Sequence, residues 1–297
     1  MHLTRWLLSL LLLMTSSAFA QLLSYQQILD RPDRPQPDQR IAYGDDARQV
    51  GELWLPKGAG PHPVVLMIHG GCWLAALPGP ELLAFQADAL RAAGVAVWSI
   101  SYRRVGHAGG GYPGTFQDVA LGTDKLRSLA AQYTLDLNRV VATGHSAGGH
   151  LALWAAARPR IAAASPLHTA SSLPIRAVVA VAGVPDLAFA ASQGLCGDSV
   201  DKLMDVAHRG REAAVWADAS PSALLPLGVK QVLMQGDRDR IVPTVNGERY
   251  RERAAPLGDA VDAVNLAEAG HFELIAPWTP AGRQVVERIV QAVDSTR

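Results

Sequence analysis

The sequence has few cysteines, no excess of charge of either sign and no internal repeat. Two cysteines, Cys72 and Cys196, occur in 297 residues, which excludes a disulfide-rich scaffold and leaves the hydrophobic core to provide stability. The formal net charge is zero, so no basic surface points to a nucleic-acid partner. His, Cys and carboxylate residues also lack the spacing of a metal site. With 49% hydrophobic and 18% charged residues, the composition is typical of a compact globular protein.

The first 20 residues have the pattern of a cleavable signal peptide. Arg5 supplies a positive charge, the run Trp6–Met14 is apolar, and Ala18–Ala20 reads AFA, a small-residue cleavage site. The apolar run is short for a bilayer span, although an uncleaved membrane anchor is the alternative. We expect cleavage after Ala20 and a mature chain that starts at Gln21, without a stable membrane span, in the periplasm or outside the cell.

Residues 41–297 alternate between apolar strands and helices. Residues 50–56 alternate in polarity and predict an antiparallel edge strand. Five later runs are continuously apolar, as expected of strands buried on both faces: VVLMI, VAVWSI, RVVAT, AVVAV and QVLMQ. This order predicts an α/β fold with a mostly parallel central sheet and helices on both faces. In such a sheet, functional sites form at the carboxyl ends of the strands.

Two segments depart from this alternation. Residues 21–40 are polar and rich in proline, and they predict an extended N-terminal arm or linker. Residues 185–227 lack the regular strand pattern and lie between the last two long apolar runs. We interpret them as a lid-like excursion over the sheet and not as a second domain.

The stretch GHSAGGH, residues 144–150, places a serine between glycines at the end of a predicted strand. A helix predicted for Ala147–Ala157 follows at once. Such a turn exposes the hydroxyl of Ser146, while Gly144 and Gly148 allow close passage of the backbone. The helix N-terminus adds free amide groups and the positive end of its dipole. Short Gly/Ser patterns also occur in ordinary turns, but this context predicts that Ser146 is a nucleophile.

A serine hydroxyl needs a base, usually a histidine that a carboxylate orients. His271, in EAGHFELI, follows the last short predicted strand and is the candidate base. Asp239, in GDRDRIVP, follows the strand before it and is the candidate acid. Asp237 and Asp186 are alternatives, for which turn-bracing and helix-capping roles are expected.

The stretch HGGCW, residues 69–73, follows the first of the apolar runs. Its glycines allow backbone amides to point at a negatively charged oxygen. Gly71 and Cys72 are therefore candidate oxyanion donors, together with the amide of Ala147 after the serine.

Two pairs of residues leave alternatives open. For Cys72 and Cys196 we favour buried free thiols. A disulfide that joins the HGGCW loop to the lid is the alternative, because an exported protein meets an oxidising compartment. Trp73 and Trp216 are candidate walls of a substrate pocket, with core packing as the alternative.

Taken in order, HGGCW, SYRR, GHSAGGH, GDRDRIVP and GHFELI resemble the motifs of the α/β-hydrolase superfamily. The resemblance is narrower to its esterase/lipase group with an HGGxW oxyanion loop, which includes kynurenine-formamidase-like and feruloyl-esterase-like bacterial hydrolases. It extends from about Ile41 to the C-terminus. The resemblance implies that Ser146 is the nucleophile, Asp239 the acid and His271 the base. It also implies that Gly71, Cys72 and Ala147 are the oxyanion donors.

We therefore interpret the chain as an exported serine hydrolase, a carboxylesterase that cleaves small-molecule esters through an acyl-enzyme. We expect no cofactor, no metal ion and no nucleic-acid partner. Arylformamidase, amidase or small-peptidase activity on the same fold is the enzymatic alternative. A catalytically silent binding protein is the alternative from another class.

Overall fold

An eight-stranded sheet forms the centre of the protein, as described by a computed structural model for residues 21–296. The predicted signal peptide, residues 1–20, lies outside the described residues. The strands are β1 (Gln39–Ala42), β2 (Val50–Trp54), β3 (His62–Ile68), β4 (Ala96–Ile100), β5 (Leu135–His145), β6 (Ala177–Val181), β7 (Lys230–Gly236) and β8 (Val261–Leu266). Their order across the sheet is β1-β2-β4-β3-β5-β6-β7-β8. The pairings of β2 with β1 and β4 are antiparallel and the others are parallel, so the mostly parallel sheet is confirmed.

Helices cover the sheet. They are α1 (Tyr25–Leu29), α2 (Ala84–Ala92), α3 (Gly114–Asp124), α4 (Leu126–Tyr133), α5 (Ala147–Ala157), α6 (Leu187–Ser192), α7 (Ser199–Leu203), α8 (Val206–Arg209), α9 (Ala213–Trp216), α10 (Val245–Ala254) and α11 (Pro280–Asp294). Helices α5 and α11 both pack on the central strands β3, β5 and β6, which are buried between them. The continuously apolar runs follow from this burial, since the residues of β3 from Val64 to Ile68 are fully inaccessible to solvent.

Strand β1 forms the edge of the sheet, which corrects the prediction of an edge strand at residues 50–56. β2 lies between β1 and β4, and its residues from Gly51 to Trp54 are buried. Glu52 made β2 appear half-exposed in the sequence. Its carboxylate is instead paired with the Arg40 guanidinium of β1 at 3.0 Å. Burial of a carboxylate without such a partner would be costly.

The N-terminal arm also differs from its prediction. Residues 21–40 were expected to be extended, but they contain helix α1 and the start of β1. The Ser24 hydroxyl accepts from the Gln27 amide, and the Gln27 side chain accepts from the Ser24 amide, which is a capping box. Ile28 is fully buried in the main core. The capping pattern and one apolar anchor therefore order a segment whose composition suggested a linker.

The excursion at residues 185–227 consists of short helices that join the main core. Leu203 and Met204 are fully buried there. Asp218 links the excursion to the body, because its Oδ2 accepts from the hydroxyls of Tyr112 at 2.8 Å and Ser165 at 2.6 Å. Residues of this segment thus share the main core, and its interpretation as a lid-like excursion stays a prediction.

A disulfide joins Cys72 to Cys196, which corrects the favoured interpretation of free thiols. The two Cα atoms are 5.9 Å apart although 124 positions separate the residues in the chain. The bridge ties the HGGCW loop to the turn between α6 and α7. Only the folded chain brings these two loops together, so the spacing of the cysteines could not reveal the pairing. Within residues 21–296, no helix combines the length and the apolarity that a membrane span requires.

Candidate active site

Ser146 occupies the sharp turn between β5 and α5. Its φ of 57° and ψ of −122° lie in a region that non-glycine residues rarely adopt, and such strain is typically held in place at functional sites. A Cβ at Gly148 would overlap the carbonyl oxygen of Ile68, at the end of β3. A Cβ at Gly144 would likewise overlap the carbonyl of Gly148. Both glycines are therefore required for the close packing that holds this turn.

His271 and Asp239 form a buried hydrogen-bonded pair beside this turn. The His271 Nδ1 atom donates to Asp239 Oδ2 at 2.6 Å. The other carboxylate oxygen of Asp239 accepts from the backbone amides of Ile241 at 2.8 Å and Val242 at 2.9 Å. Both carboxylate oxygens are thus held, so the imidazole is oriented with its Nε2 atom directed away from the acid. Asp237, the alternative acid, is exposed.

Asp186, the second alternative acid, is the N-cap of α6. Its Oδ1 atom accepts from the backbone amide of Phe189 at 3.0 Å. This confirms the expected capping role of Asp186.

One cavity brings Ser146 and His271 together. Its volume is about 310 Å³. The HGGCW loop, several apolar residues and the polar residues Ser24, Tyr25 and His145 form its remaining walls. The lining residues are Ser24, Tyr25, Gly71, Cys72, Leu77, Pro78, Leu82, His145, Ser146, Ile241, His271 and Phe272. Among these described residues, none is Asp, Glu, Lys or Arg, so the cavity suits an uncharged ligand.

The expected oxyanion donors lie around the same serine. Gly71 and Cys72 line the cavity and have positive φ values of 97° and 47°. A positive φ is common for glycine but costly for cysteine, so the loop needs outside support. Ala147 is the first residue of α5, where backbone amides have no acceptor within the helix. Gly71 and Cys72 thus line the cavity and Ala147 directly follows Ser146, while their role as oxyanion donors stays a prediction.

Trp73 and Trp216 do not line this cavity, which corrects their prediction as pocket walls. Trp73 is fully buried, and its indole Nε1 donates to His150 Nδ1 at 3.2 Å. Trp216 faces a separate surface pocket beside Phe189 and Arg253. The structure supports the alternative of core packing for Trp73, because the strained loop turns its side chain inward.

Three further histidines are buried around the site and are neutral. His145 donates from Nε2 to the carbonyl oxygen of His271 at 3.0 Å, which braces the backbone of that residue. Burial, together with the smaller effect of the Arg104 charge, lowers the pKa of His69 to about 3. Burial also lowers the pKa of His150 to about 4, and it lowers that of His145 well below the usual value.

These depressed pKa values predict an acid-labile fold. Histidines of the unfolded chain bind protons near pH 6.5, whereas His69, His145 and His150 stay neutral in the folded state until the pH is far lower. The unfolded state therefore binds more protons below pH 6.5, and the free energy of unfolding falls as the pH falls. The expected loss is about 1.4 kcal/mol per pH unit for each histidine.

Urea unfolding at several values between about pH 7 and pH 5 measures this loss. His150→Gln should reduce the loss of unfolding free energy per pH unit by the contribution of one histidine. The exposed His208 is the control, because Asp205 raises its pKa and gives its contribution the opposite sign. His208→Gln must not reduce the loss of stability. An unfolding free energy that is constant over this range would contradict the prediction.

Several lining residues were not found from the sequence. Leu77, Leu82, Ile241 and Phe272 are ordinary apolar residues next to motifs, and the local sequence does not show which of them face the serine. Tyr25 comes from the N-terminal segment, far from every motif. The capping box around Ser24 was the only local signal for order in that segment.

The model of a protein family, BD-FAE, matches residues 52–253 of this chain. The matched region contains Ser146 and Asp239 and ends before His271. It also begins after the N-terminal segment that contributes Tyr25 to the cavity.

Individual relatives are similar over most of the chain. Esterase LipC of Mycobacterium tuberculosis is 28% identical over 249 residues, which are 80% of this chain and 60% of LipC. Esterase LipQ of the same organism is 25% identical over 279 residues, 88% of this chain and 65% of LipQ. This chain thus spans less than two thirds of the length of either relative.

Among solved structures, esterase B from Lactobacillus rhamnosis, in complex with a tributyrin phosphonate inhibitor, has a similar fold. Its TM-score is 0.76 at 20% identity, over 92% of this chain and 90% of that chain. At this identity the likeness establishes the α/β-hydrolase fold.

Proposed function

The chain belongs to the BD-FAE family, an esterase group with the α/β-hydrolase fold, and from this premise we propose that it is an exported serine carboxylesterase. In this proposal Ser146 is the nucleophile, His271 the general base and Asp239 the acid that orients it. One observation carries the proposal: a strained serine and a buried histidine–carboxylate pair converge on one apolar cavity.

The geometry supports a two-step mechanism. Ser146 Oγ attacks the ester carbonyl carbon as His271 Nε2 takes the hydroxyl proton. The resulting oxyanion accepts hydrogen bonds from the backbone amides of the HGGCW loop and of Ala147. The tetrahedral intermediate collapses, the bond to the alcohol oxygen breaks, and His271 returns the proton to that oxygen. A water molecule then attacks the acyl-enzyme by the same route, releases the carboxylic acid and restores Ser146.

Asp239 supports both steps through His271. As His271 gains a proton, the Asp239 carboxylate stabilises the imidazolium through the bond at 2.6 Å. The amides of Ile241 and Val242 keep the carboxylate in place.

The substrate we propose is an uncharged ester of small to medium size. The cavity of about 310 Å³ has apolar walls, and its described lining includes no Asp, Glu, Lys or Arg to pair with a charged acyl group or alcohol. Burial of an unpaired carboxylate or ammonium group there would oppose binding. The names of the relatives, esterases LipC and LipQ, agree with ester substrates.

Export is the second part of the proposal. The AFA site at residues 18–20 supports cleavage before Gln21, and the Cys72–Cys196 disulfide supports an oxidising compartment such as the periplasm or the outside of the cell. Disulfides are rare in the reducing cytosol, so the bridge and the signal pattern point the same way.

Intact-mass analysis after fluorophosphonate treatment tests both parts. We expect a mature chain that begins at Gln21 and carries a single adduct, because an activated serine reacts with the reagent. Ser146→Ala should carry none. The matched control is Ser165→Ala, which alters a serine remote from the cavity lining and should keep the adduct. A folded wild-type protein without an adduct would contradict the serine-hydrolase proposal. A mass that retains residues 1–20 would contradict cleavage.

A further inference from the structure

The outer wall of the cavity comes from the N-terminus of the described chain. We use the name N-terminal strap for residues 22–29. Ser24 and Tyr25 of the strap line the cavity together with Ser146 and His271. The Tyr25 ring packs edge-on against Phe272, with centroids 5.9 Å apart. The strap lies before residues 52–253, the region that the family model matches.

The strap is attached to the loop that carries His271. The Glu273 carboxylate links the strap to this loop. Its Oε1 accepts from the backbone amide of Leu23 in the strap, and its Oε2 accepts from the amide of Gly270 in the loop at 3.1 Å. The side chain of Leu22 lies against Gly270, where an added Cβ would be 3.0 Å from Leu22 Cδ1. The strap therefore contacts both neighbours of the proposed base.

Apolar packing anchors the strap at its other end. Ile28 is fully buried in the main core. Helix α1 packs on the short 3-10 helix Pro80–Leu83, which contributes Leu82 to the cavity lining. Tyr25 is thus held between a fixed anchor and the His271 loop, although the residue is 38% exposed. A side chain held in this way presents a defined wall and not a loose cover.

We propose that the N-terminal strap sets the upper size of the acyl group, with Tyr25 as the specificity-determining residue. This inference rests on the proposed esterase function. The Tyr25 ring and Phe272 together close the side of the cavity next to Ser146 and His271. A bulky group that needs this space meets the ring, whereas a small ester fits beside it.

The test compares kcat/KM for a bulky and a small uncharged ester, p-nitrophenyl octanoate and p-nitrophenyl acetate. Tyr25→Ala should raise the octanoate-to-acetate ratio by about tenfold, since a few methylenes in an apolar pocket change discrimination by at least that much. Tyr25→Phe keeps the ring and should retain the wild-type ratio. Ile28→Ala, which releases the anchor of the strap, should shift the ratio in the same direction as Tyr25→Ala.

The control variant is Gln26→Ala, on the same helix but not among the residues lining the cavity, which should leave the ratio unchanged. Fluorophosphonate labelling of each variant reports the state of Ser146 independently of ester size. If Tyr25→Ala and Ile28→Ala still react with the fluorophosphonate but keep the wild-type octanoate-to-acetate ratio within about twofold, or lower it, the inference is wrong while the esterase function stands. If wild-type protein neither reacts nor hydrolyses either ester, the proposed function fails before the strap is tested.

Discussion

Asp239→Asn is expected to lower kcat for ester hydrolysis by a factor on the order of 10⁴, with the fold intact. The reason lies in how both carboxylate oxygens are used. Oδ1 accepts from the amides of Ile241 and Val242, which can only donate. An asparagine must therefore place its carbonyl oxygen there and turn its NH₂ group toward His271.

That NH₂ group would reverse the hydrogen bond to the base. His271 Nδ1 now donates to Asp239 at 2.6 Å, but beside an NH₂ donor it would have to accept. The imidazole proton would then reside on Nε2, the atom that must take the proton from Ser146. A histidine in this tautomer cannot act as the base. The kcat of the variant should therefore fall strongly, while its KM should change little.

Asp237→Asn is the matched control, because it makes the same chemical change two residues away at an exposed side chain. It should keep kcat close to that of wild type. Steady-state kinetics with p-nitrophenyl acetate measures both variants, and thermal unfolding shows whether each is folded. Asp239→Asn should unfold near the wild-type temperature because its bonds to Ile241 and Val242 survive. Should its kcat stay within about tenfold of wild type, Asp239 is not the orienting acid.

The arrangement of Ser146, Asp239 and His271 was accessible to sequence reasoning for a physical reason. Ser146 directly follows β5, whereas Asp239 and His271 lie in the loops after β7 and β8, and the carboxyl ends of these parallel strands meet at one edge. Apolar runs locate the buried strands β5 and β7, because burial on both faces favours apolar side chains at every position, whereas the edge strand β8 before His271 carries no such run. Residues that follow those runs must therefore lie near one another, whatever the length of chain between them.

The features that escaped sequence reasoning depend on long-range contacts. Leu23 donates to Glu273, 250 positions away, and nothing near Leu23 in the sequence indicates that partner. Trp73 is a large aromatic residue in the HGGCW loop and was therefore predicted to line the pocket, but a φ of 57° turns its side chain into the core. Glu52 has the appearance of a surface residue until its pairing with Arg40 is seen. Apolar periodicity describes which residues are buried but not which of them face a particular cavity.

Removal of the Cys72–Cys196 disulfide is expected to reduce the free energy of unfolding by about 2–5 kcal/mol and to lower esterase activity as well. The bridge joins residues 124 positions apart, so it restricts a long loop of the unfolded chain. Its removal therefore favours the unfolded state. Urea unfolding of Cys72→Ser/Cys196→Ser beside wild type measures the difference.

The effect on activity follows from the position of Cys72 in the oxyanion loop. Gly71, Cys72 and Trp73 are consecutive residues with positive φ, and for the two that are not glycine this conformation costs on the order of 1–3 kcal/mol each. The disulfide to Cys196 supplies part of the support that keeps them there. Without it the loop amides would be held less firmly, and kcat should fall by about tenfold, less than the 10²–10³ expected for complete loss of a donor.

Cys196→Ser alone separates the cross-link from the side chain of Cys72. Cys196 does not line the cavity that contains Ser146 and His271, so this variant replaces no lining residue and only converts Cys72 from a disulfide to a thiol. It should nevertheless match the double variant in both stability and kcat, and treatment of wild type with dithiothreitol should reproduce both losses. The Ser165→Ala variant retains the disulfide. Treatment with dithiothreitol should therefore lower its stability and kcat as it does for wild type. If reduced wild type retains full kcat, the HGGCW loop holds its conformation without the bridge, and the disulfide serves stability alone.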